Sequence, residues 1–320
     1  MSAIERHEFR TPLGATGLDI YMRNKRPAGV ETFGPRRTLL FVHGATYPAS
    51  VAFDLPVDGR SWMDHIASAG FDVWLMDLPG YGGSSRPKEM SAPAADNPPP
   101  TTTDVAIASV GAVVDFIRRE RGIERLNLMG WSWGTAIMAG FTQANPALVE
   151  KLALFAPLWL IKGQPTIGDA SGVVGAWRSV GKDEARERWL RGVPEEWREK
   201  LVPPHVFEAF WSAALASDPE GARQSPPVLR APNGVILDAQ RFWMKESPTW
   251  DPGRIECPVL IVMGEWDADT PTSMANRIFP LLTRAKSKKL AILGRGTHTM
   301  ALESERFALF AEVQRFLASE

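Results

Sequence analysis

Residues Leu126 to Ala139, Leu-Asn-Leu-Met-Gly-Trp-Ser-Trp-Gly-Thr-Ala-Ile-Met-Ala, constrain the fold of this chain more than any other stretch. A short apolar strand runs into Gly130-Trp131-Ser132-Trp133-Gly134 and then into a run of small and apolar helix formers. G-x-S-x-G between a strand and a helix is a nucleophile elbow, a turn so tight that the serine takes strained backbone geometry. Gly130 and Gly134 flank the bend because side chains there collide as strand and helix approach. Ser132 is thereby pushed out at the top of a sheet. The amino end of the following helix points at the same spot, where backbone N–H groups and the helix dipole favour a developing negative charge.

Buried strands of this kind recur. Thr38 to Val42, Phe71 to Met76, Lys151 to Pro157, Pro258 to Met263 and Lys289 to Leu293 are apolar runs without helical period. Helical patterns separate them: Ser61 caps a helix to about Ala69, another runs from about Thr103 to Arg121, and Glu303 to Leu317 closes the chain as an amphipathic helix. Residues 9 to 23 read as two short strands joined near Gly14 to Gly17, and residues 91 to 100, with four prolines, as an exposed loop. The alternation predicts an α/β fold with a mostly parallel, doubly wound sheet.

Between Trp159 and Arg254 the alternation stops. No convincing buried strand is visible, whereas Phe207, Phe210, Trp211, Ala214 and Leu215 form one helical stripe, and seven of the 12 tryptophans lie here. The expected organisation is a core of residues 1–158 and 255–320, with residues 159–254 as a helical cap inserted over the carboxyl ends of the strands. Most of those aromatic rings are expected to pack the insertion, with one or two facing a cleft.

Ligands in open α/β sheets bind beyond the carboxyl ends of the strands. Four features converge there: His43-Gly44-Ala45, Ser132, Gly264-Glu-Trp-Asp267-Ala-Asp-Thr-Pro271, and Gly294-Arg-Gly-Thr-His298, each just past a buried strand. With Asp77-Leu-Pro-Gly-Tyr-Gly-Gly-Ser, these motifs make the chain resemble the α/β-hydrolase superfamily over nearly its whole length apart from the insertion. Within it the chain looks like the capped esterase, lactonase and carbon–carbon hydrolase branch.

The resemblance implies a cofactor-independent serine hydrolase that cleaves a carboxylic ester or lactone of a small apolar or aromatic substrate through an acyl-serine. Ser132 is the expected nucleophile. A serine hydroxyl needs a base, and His298 is the one histidine of five that follows both a late strand and the acid loop. Asp267 is expected to orient it, with Asp269 and Glu265 left to solvation or turn hydrogen bonds. The oxyanion hole takes the N–H groups of Ala45 and Trp133. Asp77 is expected to organise its own turn. Tyr47 and Phe53, from the long 47–60 link, and Trp131, Trp159 and Trp211 are candidate substrate contacts. Alternatives on the same scaffold are a carbon–carbon hydrolase of vinylogous diketones, a thioesterase, a cofactor-free haloperoxidase, and a ligand-binding protein with little turnover. Epoxide hydrolases and haloalkane dehalogenases use aspartate at the elbow, which Ser132 replaces.

Composition adds exclusions. With 36 basic and 37 acidic residues the net charge is -1, which offers nothing to nucleic acid or an anionic membrane. Cys257 is the only cysteine, which excludes an internal disulfide and fits a reducing compartment. The first residues lack an apolar signal core, and the longest apolar stretch is broken by Asn127, Ser132 and Thr135, so a soluble, cytoplasmic protein is expected. Neither metal-ligand spacing nor a G-x-G-x-x-G loop is present. The expected partner is a small-molecule substrate; the oligomeric state is left open.

Overall fold

The structure, a computed structural model, describes residues 3–319. Eight strands form one sheet: β1 (Ile4–Pro12), β2 (Asp19–Pro27), β3 (Thr38–Val42), β4 (Asp72–Met76), β5 (Leu126–Trp131), β6 (Val149–Phe155), β9 (Val259–Gly264) and β10 (Lys288–Leu293). Their order across the sheet is β1-β2-β4-β3-β5-β6-β9-β10. β3, β4, β5, β6, β9 and β10 are parallel, whereas β2 pairs antiparallel with both β1 and β4. This is the α/β-hydrolase fold.

Alternate residues along the central strands feed two cores. Leu40, Val42 and Leu128 pack with Val110, Val113, Val114 and Ile117 of helix α2 (Thr103–Arg121) and with Ile137 of helix α3 (Trp133–Ala144). Leu39, Phe41 and Met129 face the other way, against Trp62, Met63 and Ile66 of helix α1 (Trp62–Ser68) and Phe310, Val313 and Leu317 of helix α8 (Arg306–Ala318). Helices on both faces explain why β3, β4, β5 and β9 are wholly buried and apolar at all positions but Thr38, Asp72 and Asn127. Helix α1 starts in a capping box: Ser61 Oγ accepts from the Asp64 N–H (3.1 Å) and Asp64 Oδ2 accepts from the Ser61 N–H (3.0 Å).

Three expectations need correction. β10 sits at the sheet edge and is half open to solvent, with Ile292 exposed, so it is not a buried strand. The 159–254 segment also contains a two-stranded antiparallel sheet, β7 (Trp177–Val180) with β8 (Leu229–Pro232). Arg178, Ser179, Arg230 and Pro232 interrupt the apolar pattern, which hid these strands in the sequence. The same segment carries helices α4 (Lys182–Trp189), α5 (Pro204–Ala216) and α6 (Gly234–Arg241), and α7 (Thr272–Leu281) links β9 to β10. The amino-terminal hairpin is longer than expected, with nine residues in each strand. Among the described residues, no helix is long and apolar enough to cross a membrane.

Candidate active site

Ser132 directly follows β5 with φ 58° and ψ −124°, outside the regions that L-residues favour. The surrounding glycines show why the turn closes only with these residues. A Cβ on Gly130 would lie 2.2 Å from the Gly134 carbonyl oxygen, one on Gly134 2.6 Å from the Val42 and His43 oxygens, and one on Gly44 2.8 Å from Ser132 Cβ. The Ser132 N–H donates to the Phe155 carbonyl at 2.9 Å, which ties the strained residue to β6. Its hydroxyl has no hydrogen-bond partner among the side chains of the described residues.

The acid and histidine loops are pressed together by Gly264, where a Cβ would come within 2.1 Å of the Gly296 oxygen. Trp266 N–H donates to Gly296 O at 2.9 Å across the same junction. Asp267 Oδ2 then lies 2.9 Å and Oδ1 3.1 Å from His298 Nδ1. Asp267 is itself fixed: Oδ1 accepts from the N–H groups of Asp269 (3.0 Å) and Thr270 (2.8 Å), and Oδ2 from Thr270 Oγ1 (2.9 Å). Burial pushes the His298 imidazole down, but Asp267 by charge and hydrogen bonding, helped by Asp269, outweighs it and leaves the pKa raised above 6.5. Trp131 Nε1 donates to the His298 carbonyl at 2.8 Å, so the residue before the serine also braces the histidine.

The turn after β3 is held just as closely. His43 Nδ1 lies 2.7 Å from Gly44 O, and His43 Nε2 accepts from the Leu78 N–H at 3.0 Å. These partners assign the proton to Nδ1, so the imidazole grips the peptide whose other end is the Ala45 N–H. Burial keeps His43 below its usual pKa, in the neutral form this arrangement requires. Trp133 is the first residue of α3, and its N–H has no intrahelical acceptor. No turn or loop carbonyl of the described residues accepts the Ala45 N–H either. Asp77 organises its turn as expected, accepting from Ser50 N (3.0 Å), Ser50 Oγ (2.9 Å) and Gly83 N (2.9 Å).

A cavity of about 280 Å³ opens beside Ser132, walled by apolar residues such as Leu158, Ile161, Ile167, Val235, Trp243 and Met274. A much smaller void is bordered by Gly44, Tyr47, Trp131, Trp189 and His298. Ala45, Ser132, Arg188 and Asp269 border both. Of the candidate substrate contacts, Tyr47 and Trp131 therefore reach the small void. Phe53, Trp159 and Trp211 border neither space. Phe53 stacks on Phe41 (4.5 Å between centroids), Trp159 packs edge-on against Trp250 (5.2 Å), and Trp211 is buried in the core shared with α1 and α8. Trp243, which the sequence did not single out, is the tryptophan of the segment that faces the larger cavity.

Two further groups escaped sequence reading. Asp269 is buried and ion-paired, not solvated: Arg188 Nη2 lies 2.6 Å and Nε 2.7 Å from its Oδ2. Burial would raise its pKa, but Arg188 and His298 hold it at about 2. Glu303, fully buried, accepts from Trp189 Nε1 (2.8 Å), Thr297 N (3.0 Å) and Thr297 Oγ1, which fastens the residue before His298 to α4. Burial raises its carboxyl to about 7 against those three donors. Neither residue carries a sequence signal, because each partner lies more than five residues away or on another loop. Among the described residues, no cluster of three or more His, Cys, Asp or Glu side chains is placed to hold a metal ion.

A family model described as alpha/beta hydrolase fold matches residues 37–180. Lipase member M of Homo sapiens is 27% identical over 146 residues, 43% of this chain and 34% of its own length. Gastric triacylglycerol lipase of Mus musculus is 29% identical over 136 residues, 41% and 34%. The chain thus spans about a third of the length of these curated relatives. Among solved structures, a 2-hydroxy-6-oxo-6-phenylhexa-2,4-dienoate hydrolase from a Rhodococcus strain superposes with a TM-score of 0.62 at 20% identity, covering 98% of this chain and 99% of that one. A thermophilic esterase from Thermogutta terrifontis gives 0.61 at 16% identity, covering 97% and 98%. At such identities the likeness is one of fold.

Proposed function

We propose that this chain, which has the α/β-hydrolase fold, is a serine hydrolase acting on carboxylic esters of compact acyl groups, with Ser132, His298 and Asp267 as its catalytic triad. The observation that carries this reading is the convergence of three loops: a serine at φ 58° and a histidine at 2.9 Å from a buried carboxylate border one void. The N–H groups of Ala45 and Trp133, which have no backbone acceptor among the described residues, lie beside the same serine. The similarity of part of the chain to lipases agrees with ester chemistry.

In the proposed step Ser132 Oγ attacks the ester carbonyl while its proton passes to His298 Nε2. The carbonyl π electrons move onto oxygen, where the N–H groups of Ala45 and Trp133 receive them. Collapse breaks the C–O bond, and the alkoxide leaves with the proton from the imidazolium. Water, deprotonated by the same imidazole, then hydrolyses the acyl-serine. Asp267 holds Nδ1–H and stabilises the charged ring throughout. Residues 159–254 act as a cap, since Leu160, Ile161, Ile167, Val235 and Trp243 wall the cavity beside the serine.

The base must be neutral to act. With His298 raised above 6.5, kcat/KM is expected to climb with pH through a midpoint above that value and to be lost below it. Asp269→Asn is expected to move this limb to lower pH, because the Asp269 charge helps to raise His298 and the freed Arg188 charge opposes it. A pH profile of ester hydrolysis for both proteins measures this. A wild-type midpoint at or below 6.5, or a variant midpoint that rises, contradicts the assignment.

Acyl preference follows from the cavity. At about 280 Å³ it lies just below the usual size of ligand sites, which run roughly from 300 to 1,000 Å³. Butyryl and benzoyl esters are expected to exceed the palmitoyl ester in kcat/KM by at least roughly tenfold, without a rate jump above the critical micelle concentration. A palmitoyl preference would recast residues 159–254 as a lid that opens at lipid surfaces.

A further inference from the structure

Arg178 stands on β7, outside the triad and outside both walls of the cavity beside Ser132. Its Nη2 donates to the Ala45 carbonyl at 2.7 Å and to Thr46 Oγ1 at 3.0 Å. Its Nη1 donates to Pro232 O at 2.9 Å and Asn233 Oδ1 at 3.2 Å. All four acceptors are neutral. Among the described residues no carboxylate comes within ion-pair distance of this guanidinium, although Arg23, Arg121, Arg188, Arg230 and Arg306 all have one. Its Nε is buried with no acceptor among the described residues. Burial lowers its pKa to about 10, with Tyr81, Tyr47 and Glu184 opposing, so the charge persists at neutral pH.

A desolvated, uncompensated charge is costly, and the two N–H donors of a neutral amide would suffice to fasten the Ala45 carbonyl and Thr46 Oγ1 alone. Its position suggests what the charge does. The Ala45 carbonyl also accepts from Tyr81 Oη at 2.9 Å, and the preceding carbonyl, Gly44, is held by His43. The peptides on both sides of Ala45 are thus clamped by three donors, which fixes where the Ala45 N–H points. Two of those donors belong to the sheet's own loops, and the third and only charged one comes from the 159–254 segment.

We propose that Arg178 is a positioning residue for the oxyanion site: by holding the Ala45 carbonyl it fixes the backbone at Ala45, and with it the direction of the Ala45 N–H, and it supplies positive potential to the developing anion. The inference rests on the reading of Ser132 as nucleophile. It makes the oxyanion site complete only when the β7–β8 hairpin is docked on the turn after β3. A preorganised donor gains strength where water is excluded, so loss of the clamp is felt in the transition state and little in the bound substrate.

The test compares wild type with Arg178→Met and Arg178→Lys on p-nitrophenyl butyrate. Inhibition is measured in parallel by an alkyl trifluoromethyl ketone, which forms an anionic adduct with an active serine, and by the matching methyl ketone. Arg178→Met is expected to lower kcat about 10- to 100-fold, less than outright loss of an oxyanion donor. The trifluoromethyl ketone should weaken by the same factor, while KM and the methyl ketone's inhibition constant stay within about twofold. Arg178→Lys is expected to recover part of kcat, since it restores the charge but cannot span both the Ala45 and Pro232 carbonyls. Unchanged kcat in Arg178→Met, or equal weakening of both ketones, overturns the proposal. If the methionine variant does not fold, Arg178→Lys against wild type decides by the same correlation. Fluorophosphonate labelling of the wild type keeps the two readings apart. No adduct on Ser132 removes the nucleophile and this proposal together, whereas a labelled serine with indifferent Arg178 variants removes this proposal alone.

Discussion

Ser132→Ala is expected to lower kcat for a p-nitrophenyl ester by about 10⁶-fold, to the residue of rate that binding and the oxyanion donors supply. The size of the effect follows from what the substitution does not disturb. Alanine keeps the Cβ that already sits at φ 58°, so the strained turn and its glycine contacts with Val42, His43 and Gly134 persist. The hydroxyl that is lost has no hydrogen-bond partner among the side chains of the described residues, and the Ser132 N–H bond to Phe155 O remains. Thermal stability should therefore match the wild type while chemistry disappears. Intact-mass analysis after fluorophosphonate treatment checks the same point: one adduct on Ser132 in the wild type and none in the variant. Labelling at another serine, or ester turnover that survives the substitution, refutes the assignment.

Asp267→Asn is expected to cost about 10⁴-fold in kcat with the fold intact. The hydrogen bonds around Asp267 decide which way the new amide points. The N–H groups of Asp269 and Thr270 both donate to Oδ1, so the asparagine oxygen must stay there. Its NH₂ then replaces Oδ2 and faces His298 Nδ1, where the carboxylate oxygen had been 2.9 Å away. A donor in that place selects the tautomer with the proton on Nε2, which cannot accept one from serine. The imidazolium also loses the neighbouring charge that raises its pKa. Asp269→Asn, which leaves this geometry alone, should lose far less kcat at a pH above the His298 transition. A larger loss from Asp269→Asn than from Asp267→Asn would move the acid by two residues along the same loop.

Short-range sterics made much of this legible in the sequence. A strand, two glycines four residues apart and a small-residue helix leave a serine between them only one backbone path, so the elbow could be read from 14 letters. The order of Ser132, Asp267 and His298 beyond three apolar runs was legible for the same reason, because parallel strands deliver their following loops to one edge. What the sequence could not convey was which side chains of residues 159–254 turn toward the serine. Trp159, Trp211 and Trp243 are alike as letters, yet two bury themselves against Trp250 and the second core while one walls the cavity. The electrostatic frame was equally hidden. Arg178 reaches Ala45 across 133 residues, Trp189 reaches Glu303 across 114, and Arg188 meets Asp269 across 81. Contacts of that separation leave no local periodicity, because they form only after the sheet and the segment above it have packed. Tertiary structure alone decided them, since the burial that sets the worth of a charge or a ring is a property of the assembled fold and not of its neighbours in the chain.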